Sequence, residues 1–487
     1  MQLARSFWNS FVAQKKTLLW GVLFLVGICI LILSRVYLLD KSIFFQNDIG
    51  RDYSVLEDWW RTGKPPLLGP QTNFIPFNHS PVYFYILYPF FVFLDGSPTA
   101  TAWAAVFYYG LGISAAVFFA LSADKQKSLV PIAFFLLVAV GHPQLVISGR
   151  YVWNPTFVPL LTFLSLLALH WAIETKRKQS FVWAGLFLGA AAGFNLSVLP
   201  LICAVLIAVF CLYRVYILRL CTGIAVGMGA LYAPIVAFEL RHEWQISRRM
   251  LASLGSSTQT GDWFSQATVA NIRSIWEYIS GTWAIEADIF IACLAVGLYL
   301  LARSSERFKY LFWWLIVGSA LVFFICIPLK LEFYYFLPLV AALFFAIAVA
   351  LPRKIQIVLV LLLIGSWGRA WWQGKYISKP LRSASAVYAC GAMVCEQLKE
   401  PTAVAVTASF HAYHAGPEFQ YVLKRSGCQI TSVFDSTSTT RTLVVFADQT
   451  NFSFPKDSFE EVRAFAPTTT DSIIQCPEGI TAHVLRR

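Results

Sequence analysis

The sequence predicts a polytopic α-helical membrane protein with a small α/β domain outside the membrane, and three observations predict it. The 487-residue chain is 57% hydrophobic and only 13% charged, with a mean hydropathy of +0.62, whereas soluble domains carry about 25% charged residues. Apolar runs of roughly 17 to 25 residues recur up to residue 372, each long enough to cross a hydrocarbon core of about 30 Å as a helix. The 38 Lys and Arg outnumber the 26 Asp and Glu, giving a net charge of +12, and they sit in short loops at alternate run ends. That distribution follows the positive-inside rule and argues against a nucleic-acid surface, which would gather cations among aromatics in one patch. The same composition excludes a soluble enzyme.

The elements follow in order. The first run, Thr17–Leu39, is too long for a signal peptide and lacks a small-residue cleavage site, so it reads as a span. Arg5, Lys15 and Lys16 precede it and put the N-terminus on the cytoplasmic side. Further spans are expected at Thr99–Leu121, Leu129–Ile147, Phe157–Ile173, Phe181–Phe194, Val198–Tyr213 and Leu218–Phe238. Four more are expected at Asp288–Ala302, Tyr310–Ile327, Phe333–Leu351 and Ile355–Trp372, making about eleven. The cytoplasmic loops then hold Lys125 and Lys127, Lys176 to Lys178, Arg214, Arg303, Arg307 and Lys309, and Arg353 and Lys354. Counting Pro81–Leu94 as a span would invert every later loop, so this run is expected to dip into or lie along the outer leaflet.

Residues 1–372 thus form the membrane module, with outer loops 40–98 and 239–287, and residues 373–487 an extracytoplasmic domain. In the first outer loop Val55, Trp59 and Trp60 give one apolar helical face before Pro65 and Pro66 end the helix, the pattern of an interfacial helix. The second loop, LRHEWQISRRMLASLGSSTQTGDWF from Leu240, predicts an interfacial helix and then a Gly/Ser/Thr tract, a possible lid. After Gln373, helices are expected at Ala384–Leu398 and Glu418–Lys424, and strands at Ala403–Val406, Gln429–Val433, Thr442–Phe446 and Ala482–Leu485. Cys390, Cys395, Cys428 and Cys476 suit one or two disulfides in an oxidising compartment, with three pairings open; no tight CxxC pair favours zinc.

The stretch FFQNDIGRDYSVLEDWW from Phe44 carries the most chemistry. Asp48 and Asp52 are four residues apart, share a face if the stretch is helical, and have Arg51 beside them. A carboxylate at the membrane surface suits a general base; the competing reading is an ordinary helix start, where acids are favoured. His79, just before Pro81, is placed to hydrogen-bond a sugar or phosphate, against the commoner solvated loop histidine. His411 and His414 have no further convergent ligands for a metal.

In the order of its features the chain resembles the GT-C glycosyltransferases that use polyprenyl-phosphate sugars, among them the protein O-mannosyltransferases and the lipid A aminoarabinose transferases. That family opens its first outer loop with an acidic motif, followed by an interfacial helix and a Pro-rich segment. Here these are Asp48 to Asp52, the helix through Trp60, and PPLLGP from Pro65 with FNHSPVYFYIL from Phe77. The likeness continues through GRYVWNP from Gly149, LKLEFYYFLPLVAAL from Leu329 and the outer C-terminal domain. The resemblance implies a GT-C fold and an inverting transferase in which Asp48 deprotonates the acceptor while the lipid phosphate departs. It gives Asp52 the orienting of Arg51 or the acceptor, and makes Lys330 with Tyr334 or Tyr335 a lipid-phosphate clamp, where a snorkelling lysine is the competing reading. Arg150 and Asn154 fall on the turn where some family members place a second essential acid, and are carried over as substrate contacts; Asn154 there counts against a two-carboxylate scheme and against a metal site.

The expected partners are a polyprenyl-phosphate-linked sugar, an acceptor that is a glycan, lipid or protein, and membrane lipids, with no nucleic acid. No cofactor is required, because the donor bond supplies the energy, and a divalent metal has no support in the sequence; no Walker loop or dinucleotide fingerprint occurs. The expected location is a bacterial inner membrane with the C-terminal domain in the periplasm. A transporter or lipid-linked-sugar flippase is the alternative, set against the scarcity of ionisable residues inside the spans.

Overall fold

The computed structural model describes residues 2–72, 77–122, 129–256, 276–281, 285–304, 307–326, 333–376, 382–408, 413–434, 440–448, 452–457 and 459–487. Lys125, Lys127, Lys330 and His411, and most of the Gly/Ser/Thr tract after Leu254, lie outside them. The membrane module begins with α1 (Gln2–Val36), a four-residue turn α2 (Leu39–Ser42), α3 (Asn47–Thr62), α4 (Val82–Phe93) and α5 (Ala100–Ser122). It continues with α6 (Leu129–Gly141), α7 (Pro143–Arg150), α8 (Val158–Thr175), α9 (Gln179–Phe194), α10 (Leu199–Tyr213), α11 (Ile217–Arg241) and α12 (Gln245–Ser256). The last four helices of the module are α13 (Ile285–Ala302), α14 (Arg307–Cys326), α15 (Leu337–Ala350) and α16 (Arg353–Trp372).

Over the described residues each expected span other than Leu129–Ile147 falls mainly on one helix. Among the described residues five stretches are long and apolar enough to cross a membrane: Leu18–Val36, Ala100–Leu121, Asn154–Thr175, Leu196–Arg241 and Arg353–Trp372. The fourth is 46 residues long and holds both α10 and α11. The apolar helix α4 has 12 residues, about 18 Å at 1.5 Å per residue, which is too short to cross.

One expected span is not continuous. Leu129–Ile147 is broken between α6 and α7, which are bent by 65°, because His142 has extended backbone (ψ 122°) and Pro143 opens the next helix with no N–H to continue the ladder. Two arginines serve the carbonyls around the break and the end of α1. Arg35 donates to the carbonyls of Ala139 and, at 3.0 Å, Leu145. Arg150 donates to the carbonyls of Ser34 (3.0 Å), Arg35 (3.3 Å) and Tyr37 (2.8 Å) and to the Ser42 hydroxyl. Buried side chains in this way satisfy main-chain groups that the break leaves without helical partners.

The helices α9 and α11 meet backbone to backbone: a Cβ at Gly185, Gly189, Gly223 or Gly227 would strike the facing helix main chain. Small residues let helices approach where lipid supplies no hydrophobic drive.

The C-terminal domain comprises α17 (Ala384–Gln397), β1 (Thr402–Ala408), β2 (Tyr413–His414), α18 (Pro417–Arg425), β3 (Ile430–Thr431), β4 (Thr442–Asp448), α19 (Glu460–Phe465), β5 (Thr469–Gln475) and β6 (Ile480–Arg486). The sheet runs β2-β1-β4-β6-β5, with β3 on β1; β1 and β4 are parallel, and β6 is antiparallel to both β4 and β5. Alternation decides the two faces. Val404, Val406, Val444, Phe446 and Val484 join the core that holds α17 and α18, whereas Ala403, Leu443, Val445 and Leu485 pack with Phe459, Val462 and Phe465 around α19. Disulfides Cys390–Cys476 and Cys395–Cys428 tie α17 to the approach to β6 and to the residues after α18.

The two parts are joined at α3. Phe44 pairs with Ser383 in a β-bridge, and Ala384 N donates to the Ile43 carbonyl at 2.9 Å. Arg425 reaches Glu57 (2.8 Å) and Asp95 (3.1 Å), and Tyr421 donates to the Gly96 carbonyl (3.0 Å).

Candidate active site

The acidic stretch is helical, and local chemistry explains its ends. The Asn47 side chain accepts the Asp48 N–H (2.8 Å), Asp48 favours the positive end of the helix, and Gly63, at φ 68°, closes it with an N–H to the Trp59 carbonyl. Ile49, Asp52, Tyr53 and Leu56 form its buried face at the three- and four-residue spacing of a helix. Asp52 is therefore carried into the core while Asp48, one turn earlier, stays at the edge: their side chains are 3% and 35% exposed.

Arg51 binds both. Its Nε and Nη2 donate to Asp52 Oδ1 (2.9 and 2.8 Å) and its Nη1 to Asp48 Oδ1 (3.0 Å). Burial pushes the Asp52 carboxyl up to about 6 even though Arg51 opposes the shift; Asp48 adds to it. Burial also acts against the Arg51 charge, but Asp52 and Asp48 outweigh it and hold the guanidinium above its ordinary value. Arg51 thus remains a cation, 40% exposed.

His79 is buried behind this group in a short antiparallel turn, where its N–H donates to the Pro70 carbonyl at 2.8 Å and its carbonyl accepts from Gly69 at 3.2 Å. Burial first, and the Arg51 charge second, push its imidazole down to about 4, so it is neutral at pH 7. It can hydrogen-bond near Arg51 but brings no charge.

Aromatic rings continue from the acids. Tyr83 lies beside Asp52, and Tyr151 lies within electrostatic range of Asp48, Asp52 and Arg51. Phe44 and Tyr151 (6.3 Å between centroids), Tyr151 and Trp153 (5.4 Å), and Trp153 and Tyr334 (4.4 Å) make a row ending at Tyr335, whose hydroxyl is 3.3 Å from that of Tyr334. The structure so links the acid helix to the two tyrosines expected at the clamp. Lys330, the cation expected with them, lies outside the described residues.

Arg150 and Asn154 are engaged within the protein instead. Arg150 holds the end of α1, as described, and the Asn154 amide donates to the Phe194 carbonyl at 2.7 Å, fastening the approach to α8 against α9. Tyr83, Tyr151 and Trp153 had no assigned role in the sequence reading. Only the fold brings Tyr83 and Tyr151 to the acids and sets Trp153 between Tyr151 and Tyr334. Among the described residues no group of three or more His, Cys, Asp or Glu side chains gathers as a metal-ligand set.

No family model matches the chain, and no curated protein matches it in sequence. Solved structures do match in fold. ArnT from Cupriavidus metallidurans in the apo state superposes with a TM-score of 0.62 at 12% identity, covering 96% of this chain and 97% of that one. The same ArnT bound to undecaprenyl phosphate gives 0.58 at 13% identity, covering 96% and 98%. The chain therefore shares the fold of these ArnT structures along nearly its whole length.

Proposed function

We propose that this protein is a membrane glycosyltransferase that moves a sugar from a polyprenyl-phosphate carrier to a hydroxyl of a glycan, lipid or protein on the outer face of the membrane. The observation that carries the reading is the division of labour on α3: a half-exposed carboxylate, Asp48, and a buried one, Asp52, held on a single guanidinium. Support comes also from the fold, shared with an ArnT structure that holds undecaprenyl phosphate.

In the proposed step Asp48 accepts the acceptor's hydroxyl proton as that oxygen attacks the anomeric carbon. The bond from that carbon to the phosphate oxygen breaks, the electron pair leaves on the lipid phosphate, and configuration inverts. Because the leaving group is a stabilised anion, the site chiefly needs a positioned base and positioned cations. Arg51 gives three N–H contacts to carboxylates and has its remaining N–H groups for a phosphate oxygen. Lys330, Tyr334 and Tyr335 form the proposed second phosphate contact. Asp52 fixes Arg51, and His79 is a neutral hydrogen-bonding neighbour. Two disulfides in the C-terminal domain suit an oxidising compartment, which supports the N-terminus-inside arrangement and a periplasmic C-terminal domain.

The test is consumption of undecaprenyl-phosphate sugars by the purified protein in lipid, wild type against Asp48→Asn. Consumption that vanishes in the variant while lipid binding persists is the expected result. No consumption by wild type across donors and acceptors would overturn the reading and favour transport.

A further inference from the structure

A second ionic group lies against the back of α3. Arg382, at the entry to the C-terminal domain, is fully buried, with Nη1 3.0 Å from Glu418 Oε1 in the first turn of α18 and Nε 3.8 Å from Asp448 Oδ2 at the end of β4. Its guanidinium lies 5.6 Å from the ring centroids of both Phe44, three residues before α3, and Phe419. The next residue, Ser383, pairs with Phe44. On the other side the main chain of Pro417 and Glu418 sits so close to Gly50 that any Cβ there would collide with it. Gly50 lies between Asp48 and Asp52, and the ring of Tyr151 feels Asp48, Asp52 and Glu418 together.

We infer that Arg382, Glu418 and Asp448 are positioning residues for the acid helix, so that the C-terminal domain is a structural part of the transfer site rather than an independent module. The chain of contacts is short. Arg382 holds the first turn of α18, α18 seats Gly50, and the same arginine packs on the segment that enters α3. A shift of that seat moves Asp48 and Asp52 as one body relative to Tyr83, Tyr151 and the bound donor, and a displacement near 1 Å is enough to cost about 100-fold in rate. Burial pushes the Glu418 carboxyl up to about 7, against the pull of Arg382, and Glu418→Gln removes the carboxylate while keeping the size of the side chain.

The inference rests on the transferase reading for its kinetic arm, and a second arm is independent of it. The variants are Glu418→Gln and Gly50→Ala in the whole chain in lipid, with Arg486→Gln as control; Arg486, at the end of β6, pairs with Glu400 and Asp471. Expected are a fall in kcat of about 10- to 100-fold with donor KM changed less than about 2-fold, and amide exchange in residues 43–57 faster while β4 and β6 keep wild-type protection. Arg486→Gln leaves both readouts as in wild type. Unchanged exchange at 43–57 in both variants overturns the inference, as does faster exchange spread evenly over the whole C-terminal domain. If wild type turns over no donor, the transferase reading fails while exchange still decides whether this seat orders the acid helix.

Discussion

Two ionic groups of identical make-up lie on opposite sides of one helical turn. On the front of α3 a single arginine, Arg51, joins Asp48 and Asp52; on its back Arg382 joins Glu418 and Asp448. They differ in access to water. Asp48 and Arg51 are 35% and 40% exposed, whereas all three members of the rear group are 1% exposed or less. A carboxylate that works on a substrate must meet it, and only the front group offers one. The rear group sits where breaking a pair is costly and its gain is geometry. Composition alone therefore does not separate chemistry from architecture; the path to the surface does.

The comparison is broken most severely at Asp48. Asp48→Asn should lower transfer by about 10²- to 10⁴-fold with the melting temperature within a few degrees of wild type, measured as donor consumption and thermal unfolding on the same sample. Arg382→Met should show the converse emphasis, a loss of about 3 to 5 kcal/mol as two buried carboxylates lose their shared cation, read as a lower unfolding midpoint before any assay of turnover. A stable Arg382→Met protein would mean that the rear group is dispensable to the fold.

A third experiment uses pH. His79 binds its proton less readily when folded, at about 4, than the ordinary 6.5, so the unfolded chain takes up protons first and stability falls as pH drops from about 6.5 to about 4. His79→Gln should flatten this loss by about 3 kcal/mol, seen as a smaller shift of the unfolding midpoint between pH 7 and pH 4. The smallest effect should come from Arg61→Gln: Arg61, itself exposed, contacts Glu57 at 2.7 Å one turn away on the same helix, Glu57 keeps Arg425, and helical pairs of this spacing contribute about 0.5 kcal/mol or less. A large effect there would erase the contrast between exposed and buried ionic contacts.

Much of this was legible in order along the chain. The helical face of Asp48 and Asp52, helices α17 and α18 and four of the strands all follow from local periodicity, whereas the acid helix ends at Gly63, before the Pro65 and Pro66 expected to stop it. Three other features do not. The break at His142–Pro143 lies in a run whose apolar character is uninterrupted enough to read as one span, and only the rescue of its carbonyls by Arg35, more than 100 residues earlier, makes it stable. Strand β5 is polar and exposed at the sheet edge, with Ile474 its buried exception, so alternation gives no signal. Gly50 is an ordinary residue until Glu418 arrives beside it, since docking between distant segments leaves no local periodic signature. Arg150 makes a contact of the same long-range kind, its bonds to the end of α1 joining segments more than 100 residues apart.

The seating of α3 also has a consequence in time. Glu57 and Arg425, which pair across the joint, are 368 residues apart. At about 5 to 20 residues per second of synthesis the second arrives roughly 20 to 70 s after the first. Throughout that interval a nascent chain has its acids but nothing behind them, and an incomplete chain lacking α18 has no seat for them at all. The helix made early in the chain is thus seated late, only after α18 has been synthesised.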